Sequence, residues 1–146
     1  MSYVDEKLES FHNLCRQKGL KITPQRTEIY KALLESKEHP SAEMVFEKIR
    51  HLLPNISFDT VNRTLNTLND MGAAFIVEGS GDVRRFDANL ENHQHFKCIN
   101  CKKIFDFSHK TFDNIAVPEN LLGNFKVLRA VVYIEGLCKS CQEIII

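Results

Sequence analysis

Residues 93–101 read HQHFKCINC, and the chain repeats the Cys-x2-Cys spacing of this stretch in Cys138-Lys-Ser-Cys141. Each pair places two thiols on one tight turn, so two pairs brought together form a tetrahedral cage of four sulfurs, the geometry of closed structural zinc sites. The histidines and carboxylates between Asp87 and Asp106 indicate a second site with harder ligands. We predict a structural Zn(2+) site formed by Cys98, Cys101, Cys138 and Cys141.

The size of the chain sets the scale of the fold. It has 146 residues, of which 43% are hydrophobic, which predicts one domain or two small ones. A piece of about 80 residues buries only a thin core, so a bound metal would stabilise the second half. The N-terminus has no basic region followed by an apolar stretch, and no run approaches the roughly 18 apolar residues of a membrane span. We expect a cytoplasmic protein that does not contact membranes.

The cysteine count agrees with a metal site. In a reducing compartment, paired cysteines indicate metal ligands rather than disulfides, and an odd fifth cysteine fits this interpretation. Cys15 lies among Leu8, Phe11 and Leu14 of a predicted helix, where a buried inert thiol is favoured over a redox role. Only the four paired cysteines are therefore assigned to metal.

Net charge does not indicate a partner. The formal net charge is zero, whereas proteins that bind nucleic acid typically carry a basic excess, because phosphate contacts supply most of their affinity. A prediction of DNA binding must therefore rest on the local pattern.

The first half has the apolar periodicity of four short helices, each with a start or stop signal. Gly19 ends the first helix, Thr23-Pro24 and Ser41 begin the next two, Pro54 ends the third, and Ser57 and Gly72 bound the fourth. The side chains predicted to face inward are Leu8, Phe11, Leu14, Cys15, Ile29, Ala32, Leu33, Val45, Ile49, Leu52, Leu53, Val61, Leu65, Leu68 and Met71.

A change of period follows the fourth helix. Phe75-Ile-Val77 and Val83-Arg-Arg-Phe86 are short strand patterns separated by Gly79-Ser-Gly-Asp82, which predicts a β-hairpin. Helices followed by a hairpin are typical of a winged helix-turn-helix, whose recognition helix would be the fourth. Helix-turn-helix folds also serve as interaction modules, so the pattern leaves both functions open.

The outward face of the fourth helix carries residues that could contact DNA. Its donors could read base edges or hold phosphates, although such a face is also an ordinary solvated surface. The outward residues are Phe58, Asp59, Asn62, Arg63, Thr64 and Asn66.

The second half predicts an α+β module. Phe96 and Lys103–Phe107 alternate as strands, Thr111–Asn120 predicts a helix, and Val127–Ile134 is rich in β-branched residues. A small sheet with open edges commonly pairs with a copy of itself, which predicts a homodimer. The predicted organisation is therefore a winged-helix domain over 1–88, a hinge over 89–92 and a zinc-containing dimerisation domain over 93–146.

Seven motifs, in this order, resemble the ferric uptake regulator (Fur) superfamily. They are Gly19-Leu-Lys-Ile-Thr-Pro-Gln-Arg26, His39-Pro-Ser-Ala42, the helix from Ser57 to Leu65, Arg85-Phe-Asp87, His93-Gln-His95 and the two cysteine pairs. The resemblance covers nearly the whole chain. It implies a metal-dependent homodimeric transcriptional repressor, not an enzyme, with an N-terminal winged helix and a C-terminal dimerisation domain. The expected partner is a double-stranded, palindromic DNA operator.

Within that superfamily the sequence looks most like the peroxide-sensing PerR branch. The family's regulatory site, placed on matching positions, comprises His39, Asp87, His93, His95 and Asp106. Three imidazoles and two carboxylates without thiolate favour Fe(2+) or Mn(2+). The resemblance implies that Fe(II) reacts with peroxide, that His39 or His93 is oxidised, and that metal and then DNA are released, whereas Mn(II) represses without sensing peroxide.

An iron-responsive repressor of the Fur type without peroxide sensing is the alternative. Asp87 is the residue type typical of PerR, whereas Fur proteins usually carry Glu at this place. Fur proteins often have an additional metal site, for which this chain has Asn92, Gln94, Arg129 and Ala130 at the matching positions. Both observations favour PerR.

One position departs from the family. The recognition helix commonly carries Tyr where this chain has Asn62, an amide that can pair with adenine, so we expect a different operator sequence. The residues predicted to contact DNA are Lys18, Lys21, Arg26, Ser57, Asp59, Thr60, Asn62 and Arg63.

Two other classes of protein compete with a repressor. A thiol redox enzyme would use Cys-x2-Cys as a redox couple, but the motif is duplicated here and is not predicted to open a helix after a strand in a βαβ unit. A zinc-ribbon interaction module explains the cysteines but leaves the histidine and aspartate positions without a role.

Overall fold

The chain folds into two units, Met1–Leu90 and Glu91–Ile146, in the computed structural model. The structure describes residues 2–77, 83–91, 93–127 and 129–144. The predicted hairpin turn at Gly79-Ser-Gly-Asp82 and the hinge residue Asn92 lie outside the described residues. Within the described part of the chain, no helix is long and apolar enough to cross a membrane.

Four helices form most of the first unit: α1 Tyr3–Gln17, α2 Pro24–Glu35, α3 Ala42–Ile49 and α4 Phe58–Asp70. The predicted starts are confirmed, because Thr23, Ser41 and Ser57 each accept a hydrogen bond from the backbone N–H three residues later. Gly19 and Gly72 follow α1 and α4 with φ of 69° and 81°, a conformation that glycine adopts without strain.

The core of the first unit is formed by one face of each of its helices. Phe11, Ile29, Val45 and Leu65 are among its buried residues, and full burial of such a side chain contributes about 1.5–3 kcal/mol. Burying the thiol of Cys15 raises its pKa, as an inert core cysteine requires.

Two predicted side-chain orientations in this unit are wrong. Leu52 is 62% exposed, because α3 ends at Ile49 and the helical period ends with it. Thr64 faces inward rather than outward, and its hydroxyl donates to the carbonyl of Thr60 at 2.7 Å. Because this hydroxyl is buried and already donates to a carbonyl of its own helix, it is not available to contact DNA.

A short hairpin follows α4. Strands β1 Phe75–Ile76 and β2 Phe86–Asp87 are antiparallel, with Phe75 opposite Asp87. The second strand starts later than the predicted Val83, because Arg85 instead forms a bridge with Ser41 at the start of α3. The Phe86 N–H donates to the carbonyl of Pro40 at 3.0 Å. The strand that carries Asp87 is thereby attached to the loop that carries His39.

A three-stranded sheet organises the second unit. Strands β3 Gln94–Cys98, β4 Ile104–Phe107 and β5 Tyr133–Gly136 lie in the order β4-β3-β5. Strand β4 is antiparallel to β3, whereas β5 is parallel to it. The helices are α5 Lys110–Asp113, α6 Glu119–Asn124 and α7 Lys139–Ile144.

Two elements of this unit differ from their predicted bounds. The predicted helix over Thr111–Asn120 is two helices, because Pro118 has no N–H and restricts the residue before it. Of the predicted strand over Val127–Ile134, residue 128 lies outside the described residues, and among the described ones the strand is confirmed from Tyr133. The N–H of Val132, one residue earlier, donates instead to the side-chain oxygen of Gln94.

Candidate metal centres and nucleic-acid interface

The cysteine cluster lies at one edge of the sheet. Parallel strands end at the same edge, and Cys98 at the end of β3 is paired with Gly136 at the end of β5. The Cys98 pair and the Cys138 pair follow these two ends. All four sulfurs lie within 4.8 Å of one another, and Cys101 Sγ is 3.9 Å from Cys138 Sγ. Four sulfurs about 2.3 Å from one zinc ion stand about 3.8 Å apart, so the cluster fits zinc.

Backbone hydrogen bonds shape the first cysteine turn. The N–H of Lys102 donates to the carbonyl of Cys98 at 2.9 Å, and the N–H of Cys98 donates to the carbonyl of Lys103 at 3.0 Å. Lys102 has a φ of 67°, so the reversal is tight enough to place Cys98 and Cys101 side by side.

The second pair lies between a strand and a helix. Cys138 immediately precedes α7 and Cys141 lies in its first turn, so this pair opens a helix after β5. No strand follows α7 among the described residues, so the pair does not open the helix of a βαβ unit, as predicted. The two further sulfurs beside the pair, which make a four-sulfur cage, also weaken the redox-couple interpretation.

The thiols of the cage differ in acidity. A hydrogen bond from the backbone of Cys138, with others from Cys101 and Asn100, lowers the pKa of Cys98 to about 6 despite its burial. The Asn100 amide, which donates to Cys141 Sγ at 3.3 Å, lowers the pKa of Cys141, but the surrounding thiols and burial outweigh it and raise that pKa to about 11. Because thiolate is the metal-binding form, the lowered pKa of Cys98 favours it as a metal ligand.

The second unit also brings together two histidines and a carboxylate. His95 in β3 lies opposite Asp106 in β4, and the alternation of β3 directs His93 to the same side. His95 Nε2 is 3.1 Å from His93 Nε2 and 3.3 Å from Asp106 Oδ1, and His93 Nε2 is 3.7 Å from that oxygen. Ligand atoms about 2.1 Å from one metal ion stand about 3 Å apart, so this triad has the spacing of a metal site.

Gln94 separates the two histidines and faces the other way. Its amide nitrogen donates to the carbonyl of Phe112 at 3.2 Å and to Asp113 Oδ1 at 3.0 Å, and its oxygen accepts from Val132. These bonds fix β3 against α5 and the start of β5, which holds the histidine side of the strand in place.

The first unit brings together the other two predicted ligands. His39 Nε2 lies 3.5 Å from Asp87 Oδ2, and the other oxygen of Asp87 accepts from the Asn89 N–H at 2.8 Å. His39 has a φ of 52° in the loop before α3. The five predicted regulatory ligands are thus a pair in one unit and a triad in the other, all with nitrogen or oxygen donors.

Four of the residues predicted to contact DNA line one cleft of about 350 Å³ between α2 and α4. They are Lys21, Arg26, Thr60 and Arg63. Arg26 Nη1 donates to the carbonyl of Lys21 at 2.7 Å, which orients its guanidinium there. Arg63 Nε also pairs with the Asp59 carboxylate at 3.1 Å, which places Asp59 to orient the guanidinium of Arg63. The residues lining the cleft are Lys21, Thr23, Gln25, Arg26, Thr60, Arg63, Thr64 and Thr67.

Asn62 lies in a second cleft, of about 330 Å³, between α3, α4 and the residues before β2. Asn66 Nδ2 donates to the carbonyl of Asn62 at 3.0 Å, and Arg84 Nη1 donates to Asn66 Oδ1 at 3.2 Å. Lys18 caps the end of α1 and lines neither cleft, and Ser57 caps the start of α4.

Among the residues that sequence reasoning missed at these sites, Asn100 donates to Cys141 Sγ, Thr67 lines the first cleft, and Arg85 donates to the carbonyl of His39 at 3.2 Å. The strand alternation that puts Arg85 and Asp87 on one side could have indicated Arg85. Asn100, within Cys98-x2-Cys101, carries no comparable signal.

Comparisons with known proteins agree on one family. The sequence model of the Ferric uptake regulator family matches residues 17–134. The peroxide-responsive repressor PerR of Staphylococcus epidermidis is 33% identical over 140 residues, 96% of this chain and 93% of that protein. The structure of the Helicobacter pylori ferric uptake regulator Fur is similar with a TM-score of 0.74 and 29% identity, covering 97% of this chain and 95% of that one. The Streptococcus pyogenes PerR structure has a TM-score of 0.54 and 29% identity, covering 93% of each chain.

Proposed function

This chain belongs to the ferric uptake regulator family, and from that premise we propose that it is a peroxide-sensing repressor of the PerR type. Members of this family are metal-responsive transcriptional regulators that bind DNA as homodimers, and they are not enzymes.

The observation that carries the proposal is the chemistry of the two ligand groups. We propose that His39 and Asp87 from one unit and His93, His95 and Asp106 from the other bind a single Fe(2+) or Mn(2+), while the four cysteines bind Zn(2+). Nitrogen and oxygen donors suit the first two metals, and thiolates suit zinc. A metal that takes ligands from both units would fix their relative orientation, and a dimer reads two half-sites only at the correct separation of its recognition helices.

Peroxide sensing follows from the two histidine candidates. Fe(2+), when bound, would supply one electron to cleave the peroxide O–O bond and would regain it from the oxidised imidazole, so that imidazole provides both electrons in the net reaction. In the net reaction, imidazole loses two electrons and gains one oxygen atom at a ring carbon, and the second peroxide oxygen leaves as water. Oxidised His39 or His93 would be a poorer ligand, so metal and then DNA would be released.

A Fur-type iron-responsive repressor is the second candidate. It is favoured by the higher TM-score to the Helicobacter pylori Fur structure than to the Streptococcus pyogenes PerR structure. Two features favour PerR instead. Asp87 is a shorter ligand than the Glu usual in Fur, and Gln94 already makes hydrogen bonds to its own unit.

Peptide mass spectrometry separates the two candidates. After anaerobic loading with Fe(2+) and treatment with peroxide, we expect peptides containing His39 or His93 to gain the mass of one oxygen atom, while operator binding is lost. Protein loaded with Mn(2+) is the control and should gain no oxygen. Iron-loaded protein that keeps both histidines unmodified and still binds its operator would establish the Fur-type function.

Homodimer formation is supported by the second unit. Neither β4 nor β5 has a further strand partner among the described residues, and Leu122, Phe125 and Ile144 are exposed. Open strand edges and exposed apolar side chains favour association with another copy.

DNA recognition is proposed to divide between the two clefts. Lys21, Arg26, Thr60 and Arg63 would hold phosphates, and Asn62 would read a base edge from the other side of α4. Ser57 and Asp59 would act by capping and by orienting Arg63, and Lys18 would contribute only charge.

Replacing Asn62 tests the base contact. In a half-site selected with the wild-type protein, Asn62→Ala should lose preference for adenine at one position, by about 1–3 kcal/mol, because the amide pairs bidentately with adenine. Binding of variant operators measured by fluorescence anisotropy checks this. Asn69→Ala, near the other end of α4, is the control and should keep the preference; a loss in both variants would argue against a specific contact.

A further inference from the structure

Two consecutive arginines before β2 contact opposite sides of the first unit. Arg84 Nη1 donates to Asn66 Oδ1 on α4 at 3.2 Å. Arg85 Nη1 instead donates to the carbonyl of His39 at 3.2 Å and lies 3.5 Å from the carbonyl of Glu38, with Met44 Sδ at 3.6 Å. One arginine therefore supports the recognition helix, and the other contacts the loop that carries a predicted metal ligand.

The contacts of Arg85 fall on both peptide groups that flank the Cα of His39. The carbonyl of Glu38 belongs to the peptide before it, and the carbonyl of His39 to the peptide after it. Holding both peptide planes fixes φ and ψ of the residue between them. His39 needs this restraint, because its φ of 52° lies in the left-handed region that a residue with a Cβ rarely adopts.

The backbone of Arg85 adds to this restraint. Arg85 forms a bridge with Ser41, and the next residue, Phe86, donates its N–H to the carbonyl of Pro40. Asp87 lies two residues beyond Arg85 and so points to the same side of the strand. The imidazole of His39 and the carboxylate of Asp87 consequently face each other at 3.5 Å.

We propose that Arg85 is a positioning residue that holds His39 opposite Asp87 before metal binds. The inference rests on the proposed role of these two residues as metal ligands. Arg85 does not touch the metal in this arrangement; it lowers the reorganisation that the loop would otherwise undergo when the metal binds.

Titration with Mn(2+) tests the proposal on full-length protein that already holds zinc. Competition with a fluorescent chelator should show Arg85→Gln binding Mn(2+) at least tenfold more weakly than wild type. Replacing a residue that orients a metal ligand typically weakens metal binding by this amount. Arg84→Gln removes the same charge one residue earlier and should bind Mn(2+) like wild type. Arg85→Lys keeps the charge, but its ammonium lies on a shorter and more flexible side chain than the guanidinium nitrogen that contacts both carbonyls, so an intermediate affinity is expected.

Amide hydrogen exchange gives a readout that needs no metal. Residues 38–41 should exchange faster in Arg85→Gln than in wild type and should be unchanged in Arg84→Gln. If Arg85→Gln does not fold, Arg85→Lys decides by the same two measurements.

The outcomes separate this inference from the function on which it rests. Wild type that binds no Mn(2+) beyond its zinc overturns the proposed regulatory site and the inference with it. If wild type binds Mn(2+) and Arg85→Gln binds it with equal affinity, the inference alone is overturned. An equal loss of Mn(2+) affinity in Arg84→Gln and Arg85→Gln also overturns it, because such a loss would be an effect of charge.

Discussion

Cys98→Ser is expected to remove zinc from the protein, unfold the second unit and abolish the dimer. The substitution deletes the thiol that is ionised most readily, with a pKa of about 6, and leaves three sulfurs for a four-coordinate ion. Structural zinc contributes roughly 10–16 kcal/mol of apparent binding free energy, more than a small sheet can replace. Zinc content by plasma mass spectrometry and molar mass by light scattering measure the effect.

Cys15→Ala is the matched control for this experiment. Cys15 lies in the core of the first unit, so its replacement should leave zinc content and the dimer unchanged while lowering the stability of that unit by a cavity effect. A Cys98→Ser protein that remains dimeric with one zinc per chain would show that the cage is not the zinc site.

Asp87→Ala is expected to abolish the stimulation of operator binding by Mn(2+) without unfolding either unit. Strand β2 pairs with β1 through its backbone, so the strand survives loss of the carboxylate. Losing one ligand should weaken Mn(2+) binding by roughly 100-fold or more, beyond the effect of an orienting residue. Calorimetric titration and anisotropy with labelled operator, with and without Mn(2+), measure both effects.

Two further variants define the role of Asp87. Asp70→Ala, at the end of α4, removes an equal charge elsewhere in the same unit and should respond to Mn(2+) like wild type. Asp87→Glu restores the donor with a longer reach and should recover part of the response. Metal-dependent repression at the wild-type level in Asp87→Ala would remove the regulatory site from consideration.

The helical half could be predicted closely because its signals are local. Thr23, Ser41 and Ser57 satisfy N–H groups of their own helices, and Gly19 and Gly72 tolerate a positive φ, so neighbouring residues determine each boundary. Leu52 shows the limit of this reasoning, since it continues the apolar spacing of α3 after the helix has ended.

The second half was harder because its boundaries depend on contacts that are distant in sequence. Strand β5 begins where β3 can pair with it, and the side chain of Gln94, 38 residues away from Val132, occupies the preceding N–H. The cysteine cage could be predicted from the spacing of its residues, whereas the histidine and aspartate positions of the proposed regulatory site came from the resemblance to the family. The support that Arg85 gives to His39 could not be predicted, because that contact spans 46 residues.

The parallel pairing of β3 with β5 has a consequence for biosynthesis. Cys98 and Cys101 leave the ribosome with the β3–β4 hairpin, but the other two sulfurs arrive only after α5, α6 and β5 have been made. Until then a nascent chain offers zinc half of its ligands. Parallel pairing across such a distance is slow, so we expect zinc capture to be a late event in the folding of the second unit.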